Sequence, residues 1–194
     1  ITAVVAVDFA RVVKQKPGEQ HPHLLRWRSA MAARPSMSRD DLVVLESGLG
    51  VSGRYWAFGD RGNNHMHPGR DCIGCHTRTQ HGPRFSVAGT LFNAGHEVDD
   101  CLGFDSDVQA GQAAEVELTD ATGRRLFVIA NRVGNFYTTV PLSFPLRRVR
   151  VFSPGGQVRE MGAPAPHGDC NACHTRLGTI TASGEAPGRV VVGP

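Results

Sequence analysis

Residues 84–92 read RFSVAGTLF, a run of β-prone side chains with no charge after Arg84. Further short runs of the same kind follow before residue 162, and Gly-, Pro- and Asn-rich turn sequences such as SPGG at 153–156 separate them. Short strands at regular spacing with such turns predict an antiparallel β-sandwich. The predicted strands are Arg84–Phe92, Ala114–Leu118, Arg125–Ala130, Phe136–Val140, Leu146–Phe152 and Gln157–Met161.

The amino-acid sequence of this segment also resembles that of a known family. FSVAGTLF at 85–92, AEVELTD at 114–120 and GNFY at 134–137 resemble a carboxypeptidase-regulatory-type, immunoglobulin-like domain. The resemblance implies a Greek-key sandwich, usually of seven strands, that serves as a spacer or adhesion module. We therefore predict a mainly β fold at 83–162, flanked by irregular segments with little helix at 1–82 and 163–194.

Both flanking segments carry the same cysteine and histidine motif. CIGCH spans residues 72–76 and CNACH spans residues 170–174, which uses four of the five cysteines. Two thiols three positions apart can each add to a vinyl group of one haem, and the adjacent imidazole then binds the iron. The sequence therefore predicts two covalently bound haem c groups. The predicted attachment residues are Cys72, Cys75, Cys170 and Cys173, and the predicted iron ligands are His76 and His174.

Other uses of paired cysteines fit the sequence less well. Pairs that share one zinc ion usually lie closer together than the 94 residues between Cys75 and Cys170, and zinc gives no reason for a histidine after each pair. A thioredoxin-like redox pair needs alternating strands and helices, which this sequence lacks. A disulfide within Cys-x-x-Cys is strained. The fifth cysteine, Cys101, is predicted to be a buried structural thiol.

The second axial ligand of each iron has several candidates. Seven further histidines against four methionines favour bis-histidine ligation. His67 precedes Cys72 by five residues, so about 17 Å of chain is available to reach the far haem face. His167 lies three residues before Cys170, and about 10 Å of chain makes the same reach difficult. Our first choices are His67 and His23, and our second choices are His65, His96 and His21.

The charge balance limits the partners. With 21 basic and 18 acidic residues the net charge of +3 is too small to predict nucleic-acid binding, and no stretch approaches the apolar length of a membrane span. Only two of the basic residues are lysines. Arginine suits the paired propionates of haem, although a genomic bias toward arginine codons explains the excess equally well. The candidate propionate partners are Arg61, Arg70, Arg78 and Arg176.

Taken together the chain resembles the dihaem c-type cytochromes of exported bacterial electron-transfer systems. The resemblance implies a carrier of single electrons rather than an enzyme, periplasmic or extracellular, whose partners are redox proteins or copies of itself. Because no signal peptide precedes Ile1, we interpret the sequence as a mature or truncated form. The alternatives are a subunit of a polymeric cytochrome assembly, a peroxidase or reductase with one open iron site, and a haem-bearing adhesion or sensor module.

The position of the motifs on either side of the sandwich leaves the haem spacing open. An even number of antiparallel strands returns the chain to the end at which it entered, which brings the two motifs together. An odd number separates them by the length of the domain. The sequence shows six strands, whereas the resembling family usually has seven.

Overall fold

The computed structural model describes residues 52–57, 62–181 and 184–193. They belong to a compact unit that spans Ser52–Pro194. Most of the predicted 1–82 segment, which includes His21, His23 and Arg61, therefore lies outside the described residues.

The described part of the chain contains two short helices and nine strands. The helices are α1 (Cys72–Thr79) and α2 (Cys170–Cys173). The strands are β1 (Val87–Phe92), β2 (Glu115–Thr119), β3 (Arg125–Ile129), β4 (Asn135–Thr138), β5 (Arg148–Phe152), β6 (Val158–Glu160), β7 (Thr179–Thr181), β8 (Gly184–Ala186) and β9 (Val190–Val191). The prediction of a mainly β fold with little helix is confirmed, and each predicted strand corresponds to one of β1 to β6.

The strands form two sheets and a separate hairpin. One sheet has the order β4-β1-β9, the other has the order β3-β2-β5-β6, and β7 pairs with β8. All pairs are antiparallel except β1 and β9, which are parallel. Val87 and Leu91 of the first sheet share one buried apolar cluster with Val116, Leu118 and Val151 of the second. The two sheets therefore form a sandwich around a common core.

Strand β1 is buried along its whole length. One of its faces contributes to the core, while α1 and α2 pack against the same strand. A Cβ atom at Gly89 would lie 2.6 Å from the Phe136 ring and 2.8 Å from the Cβ of Cys170. The absent side chain at Gly89 thus allows the second cysteine motif to approach the sheet. This double burial explains the nearly continuous apolar character of residues 87–92.

The C-terminal segment takes part in the sandwich. Leu91 and Phe92 of β1 pair with Val190 and Val191, and the amide of Val192 donates to the carbonyl of Phe92 at 2.9 Å. A bridge between Leu146 and Ala165 also joins the 163–194 segment to the central one. The seventh strand of the sandwich is therefore β9, which comes after the second cysteine motif.

A buried carboxylate lies between β3 and β5 on the second sheet. Glu117 of β2 is 1% exposed, and its carboxylate accepts hydrogen bonds from Arg125 and, at 2.6 Å, from Nε of Arg150. Burial alone would raise the pKa of Glu117, but the hydrogen bonds from Arg125 and Arg150 outweigh burial and hold the pKa below its ordinary value.

Replacement of Glu117 by Gln should therefore destabilise the protein in a pH-dependent way. We expect a loss of about 1–3 kcal/mol at pH 7, because two arginines lose a charged acceptor. A depressed carboxyl pKa gives stability that is present above the unfolded pKa of 4.5 and is lost as the pH falls through the folded value, so the difference should shrink in acid. Urea unfolding at pH 7 and pH 3 measures both effects.

Glu160→Gln is the matched control, because the carboxylate of the exposed Glu160 binds Arg148, at 3.0 Å, and no other side chain among the described residues. It should cost about 0.2–1 kcal/mol. An equal cost for the two variants at pH 7 would contradict the account of Glu117.

Candidate functional site

Each Cys-x-x-Cys-His motif begins at the first turn of a short helix. Asp71 precedes α1 and accepts a hydrogen bond from the amide of Gly74 at 2.6 Å, and Asp169 precedes α2 and accepts from the amide of Ala172 at 3.3 Å. Aspartate is a favourable N-cap because its carboxylate satisfies amides that have no partner within the helix. The helical turn then brings the two thiols of each motif to neighbouring positions on one helix face.

The two motifs lie side by side, although six strands separate them in the sequence. The Oδ2 atom of Asp169 accepts from the amides of Ile73 and Gly74, both at 3.1 Å. Asn171 donates to the carbonyl of Arg70 at 2.9 Å and to the sulfur of Cys72 at 3.7 Å. Of the two arrangements that the sequence left open, the structure has the one with adjacent motifs. An even number of strands between them accounts for it.

Both motif histidines are held through the same ring nitrogen. Nδ1 of His76 lies 2.9 Å from the carbonyl oxygen of Pro83, and Nδ1 of His174 lies 2.9 Å from that of Gly188. A carbonyl only accepts, so Nδ1 carries the proton and Nε2 is left as the electron-pair donor. Burial also lowers the pKa of His174, which favours its neutral, ligating form.

The ring of His76 has little room to move. It packs against Phe85 with ring centroids 4.9 Å apart, and a Cβ atom at Gly82 would come within 2.9 Å of its Cε1 atom. Gly82 also has φ of +82°, a left-handed conformation that glycine adopts without strain. The loop after α1 is thus shaped around the imidazole.

The four motif thiols are free, and they do not form a single metal site. None of the cysteines is in a disulfide. Among residues 52–57, 62–181 and 184–193, no three His, Cys, Asp or Glu side chains are close enough to hold a metal ion together. Burial raises the pKa of Cys72 and of Cys170 to about 12, so neither resembles an activated redox thiolate.

The carboxyl groups that precede the two motifs are in contact. Burial and the hydrogen bond to Asp71 raise the pKa of Asp169 to about 7, whereas the same hydrogen bond holds the pKa of Asp71 below its ordinary value. The exposed Arg78 also binds Asp71, at 3.2 Å. The pair therefore shares a proton near neutral pH, at the point where the two helices begin.

Two of the candidate distal histidines also have a fixed Nδ1. Nδ1 of His67 lies 2.9 Å from Oδ1 of Asp100, and the ring packs on Trp56 at 4.1 Å. His96 is buried, with Nδ1 2.7 Å from the carbonyl oxygen of Arg176, two residues after His174. His65 is only partly buried, and His21 and His23 lie outside the described residues. The choice of distal ligands stays a prediction.

The remaining predicted residues are the arginines expected to bind propionates, together with His167 and Cys101. Arg70 and Arg78 are exposed and bind Asp100 and Asp71 respectively. The carbonyl of Arg176 holds His96, and Arg61 lies outside the described residues. His167 has Nε2 3.8 Å from the sulfur of Cys173. Cys101 is fully buried, as predicted.

One arginine that the sequence did not single out connects several parts of the site. The side chain of Arg189 is 1% exposed and donates to the carbonyls of Glu97 at 2.8 Å, Gly69 at 2.7 Å and His174 at 3.2 Å. It also binds the carboxylate of Asp99 and lies over the Phe92 ring at 5.2 Å. Arg189 thus joins the loop before the first motif to the end of the second.

A buried polar network makes a second connection between the motifs and the sheet. Asn171, the second residue of α2, exchanges hydrogen bonds with Thr90 of β1: the amide of Thr90 donates to Oδ1 of Asn171 at 3.0 Å, and Nδ2 of Asn171 donates to Oγ1 of Thr90 at 3.1 Å. Thr90 in turn donates to Asn135 of β4 at 2.8 Å, and the amide of Gly69 donates to Thr90 at 2.9 Å.

An internal repeat was the available signal for part of this arrangement. Residues 71–78 read DCIGCHTR and residues 169–176 read DCNACHTR, so each motif carries its own N-cap aspartate. The repeat indicates two helices of the same construction. It does not indicate that Asp169 reaches the other copy, because that contact depends on the sandwich between them.

The chain contains no helix, within its described residues, that is long and apolar enough to cross a membrane. Comparisons with protein-family models, with curated proteins and with solved structures gave no match.

Proposed function

We propose that the protein is a dihaem c-type cytochrome that carries single electrons outside the cytoplasm. The observation that carries the proposal is that His76 and His174 have the same hydrogen-bonding arrangement. Nδ1 of each ring binds a loop carbonyl, and Nε2 is available as a ligand. Such a second contact orients the ring and increases its basicity as a ligand. Each of these histidines directly follows two free thiols, which is the donor set of covalent haem attachment.

When bound, haem supplies an iron that cycles between the ferrous and ferric forms. The residues of the chain would set its surroundings. Cys72 and Cys75 would attach one haem and Cys170 and Cys173 the other, while the loops at Pro83 and Gly188 hold the proximal imidazoles. The adjacency of the motifs favours electron exchange within one chain, because electron transfer weakens steeply with distance.

The sandwich fits the role of a scaffold in this proposal. We propose that it is an immunoglobulin-like domain whose strand β1 supports both motifs, since α1 and α2 pack on this strand. Covalent attachment of haem c takes place outside the bacterial cytoplasmic membrane, so the proposal includes export. The electron donors and acceptors would be other redox proteins or further copies of the chain.

Haem content tests the proposal. The full chain, exported in a host with a c-type cytochrome maturation system, should contain two covalently bound haems by intact mass and by the pyridine haemochrome spectrum. Cys72→Ser with Cys75→Ser should retain one haem, and so should Cys170→Ser with Cys173→Ser. Cys101→Ser is the control and should retain two, because Cys101 belongs to neither motif. A wild-type chain that carries no covalent haem would refute the proposal.

A further inference from the structure

A single carboxylate accepts hydrogen bonds from both cysteine-bearing helices. Oδ1 of Asp169 caps its own helix through the amide of Ala172 at 3.3 Å, and Oδ2 accepts from the amides of Ile73 and Gly74 at 3.1 Å each. These amides lie in the first turn of α2 and of α1, where helical amides have no partner within the helix. Asp169 therefore fixes two helix N-termini against each other.

The surroundings of Asp169 make this contact rigid. Asp169 is 8% exposed, so water competes little for its oxygens. Positive partial charge at the two helix N-termini stabilises a buried acid at this position. Asp71, in contrast, has one oxygen on the amide of its own helix and the other on the exposed Arg78. It contacts the second helix through the carboxyl group of Asp169 and not through an amide of that helix.

The cysteines nearest to this junction are the first of each motif. Cys72 directly follows Asp71, and Cys170 directly follows Asp169. The sulfur of Cys72 also accepts from Asn171 at 3.7 Å, inside the second motif. The attachment point of one haem is thus separated from the other motif by a single side chain.

We propose that Asp169 is a positioning residue that holds the two haems in one fixed relative orientation, so that they act as a coupled pair. This inference rests on the proposed function. The electronic interaction of two porphyrins depends on their distance and relative angle, and both follow from the angle between α1 and α2. Rotation of either helix about its first turn would change both quantities.

The chain offers a substitution that separates capping from bridging. In Asp169→Asn the amide oxygen can still accept from one helix, since Asn is as good an N-cap as Asp. The amide nitrogen would face N–H donors of the other helix and cannot accept from them. Asn171 still donates to Arg70 and Thr90, so the motifs stay attached to the sheet and the variant should fold.

The test is circular dichroism in the Soret region together with redox titration of the holoprotein. Wild type should show the two-signed Soret signal of interacting haems. Asp169→Asn should retain both haems but lose this signal, because the signal depends on the relative angle of the two porphyrins. Asp169→Ser should behave alike, because its shorter side chain caps α2 but cannot reach α1.

Asp71→Asn is the matched control. It removes an acid from the same place but leaves the bridge from Asp169 to Ile73 and Gly74 intact. It should move both midpoint potentials upward together and preserve the Soret signal, since loss of a negative charge favours ferrous iron at both sites. An unchanged Soret signal in Asp169→Asn, or equal loss in Asp71→Asn, would overturn the inference. A wild-type chain without haem would instead overturn the proposed function.

Discussion

Arg189→Met is expected to lower the free energy of unfolding by about 3–5 kcal/mol, the cost typical of removing one partner from a buried charged network. The guanidinium is the donor for the carbonyls of Glu97, Gly69 and His174, and it also binds Asp99. Met fills a similar volume but has no donor, so the buried carbonyls would lose their hydrogen bonds. Denaturant unfolding monitored by tryptophan fluorescence and far-ultraviolet circular dichroism measures the loss.

The control for Arg189 is Arg132→Met. Arg132 is 65% exposed, and its guanidinium binds Asp105 at 3.3 Å. We expect a change within about 0.5 kcal/mol, as for an ordinary surface substitution. Similar unfolding midpoints for the two variants would show that the buried network of Arg189 contributes little.

In the proposed cytochrome, His76→Gly and His174→Gly should each remove the proximal ligand of one haem and leave the other unaffected. We expect each variant to lose about half of the low-spin signal in absorption and electron paramagnetic resonance spectra, since one iron of two changes its ligation. Added imidazole should restore the signal, because glycine leaves the space of the ring and the loop carbonyls of Pro83 and Gly188 stay in place to hold it.

His81→Gly serves as the control for these variants. His81 is exposed and lies in the same loop as Pro83, so its loss should leave both low-spin signals intact. Full retention of the low-spin signal in His76→Gly and in His174→Gly would contradict their role as proximal ligands. The same spectra test bis-histidine ligation, because a high-spin ferric signal in the wild type would be incompatible with it.

The sequence predicted the elements of this fold better than their contacts. The run at residues 84–92 predicted β1 because a strand that is buried on both faces needs consecutive apolar residues. The turn sequences located β2 to β6, because turns also require particular residues at particular positions. Strand β9 is only Val190–Val191, and its parallel partner β1 lies about a hundred residues earlier. A two-residue strand has too little pattern to indicate such a partner.

The candidate site shows the same division. The cysteine and histidine spacing predicts haem attachment at each motif, because the steric demands of such attachment are local, and this chemistry stays a prediction. The carboxylate that holds His67 comes from Asp100, 33 positions later, and the acceptors of Arg189 come from three separate loops. Asp169 looks like an ordinary N-cap in the sequence, and its second role depends on how six strands return the chain. These contacts exist only once the sandwich has formed.

The place of β9 in the sheet also bears on the order in which the protein matures. Strand β1, on which the first cysteine motif packs, lies between β4 and β9. Its neighbour β9 consists of residues 190–191, which follow the second motif in the sequence. In the proposed export, an unfolded chain would present both cysteine pairs before residues 190–191, which complete this sheet, have crossed the membrane. In the proposed cytochrome, haem ligation could precede closure at each motif, so the attachment machinery would not need to open a finished sandwich.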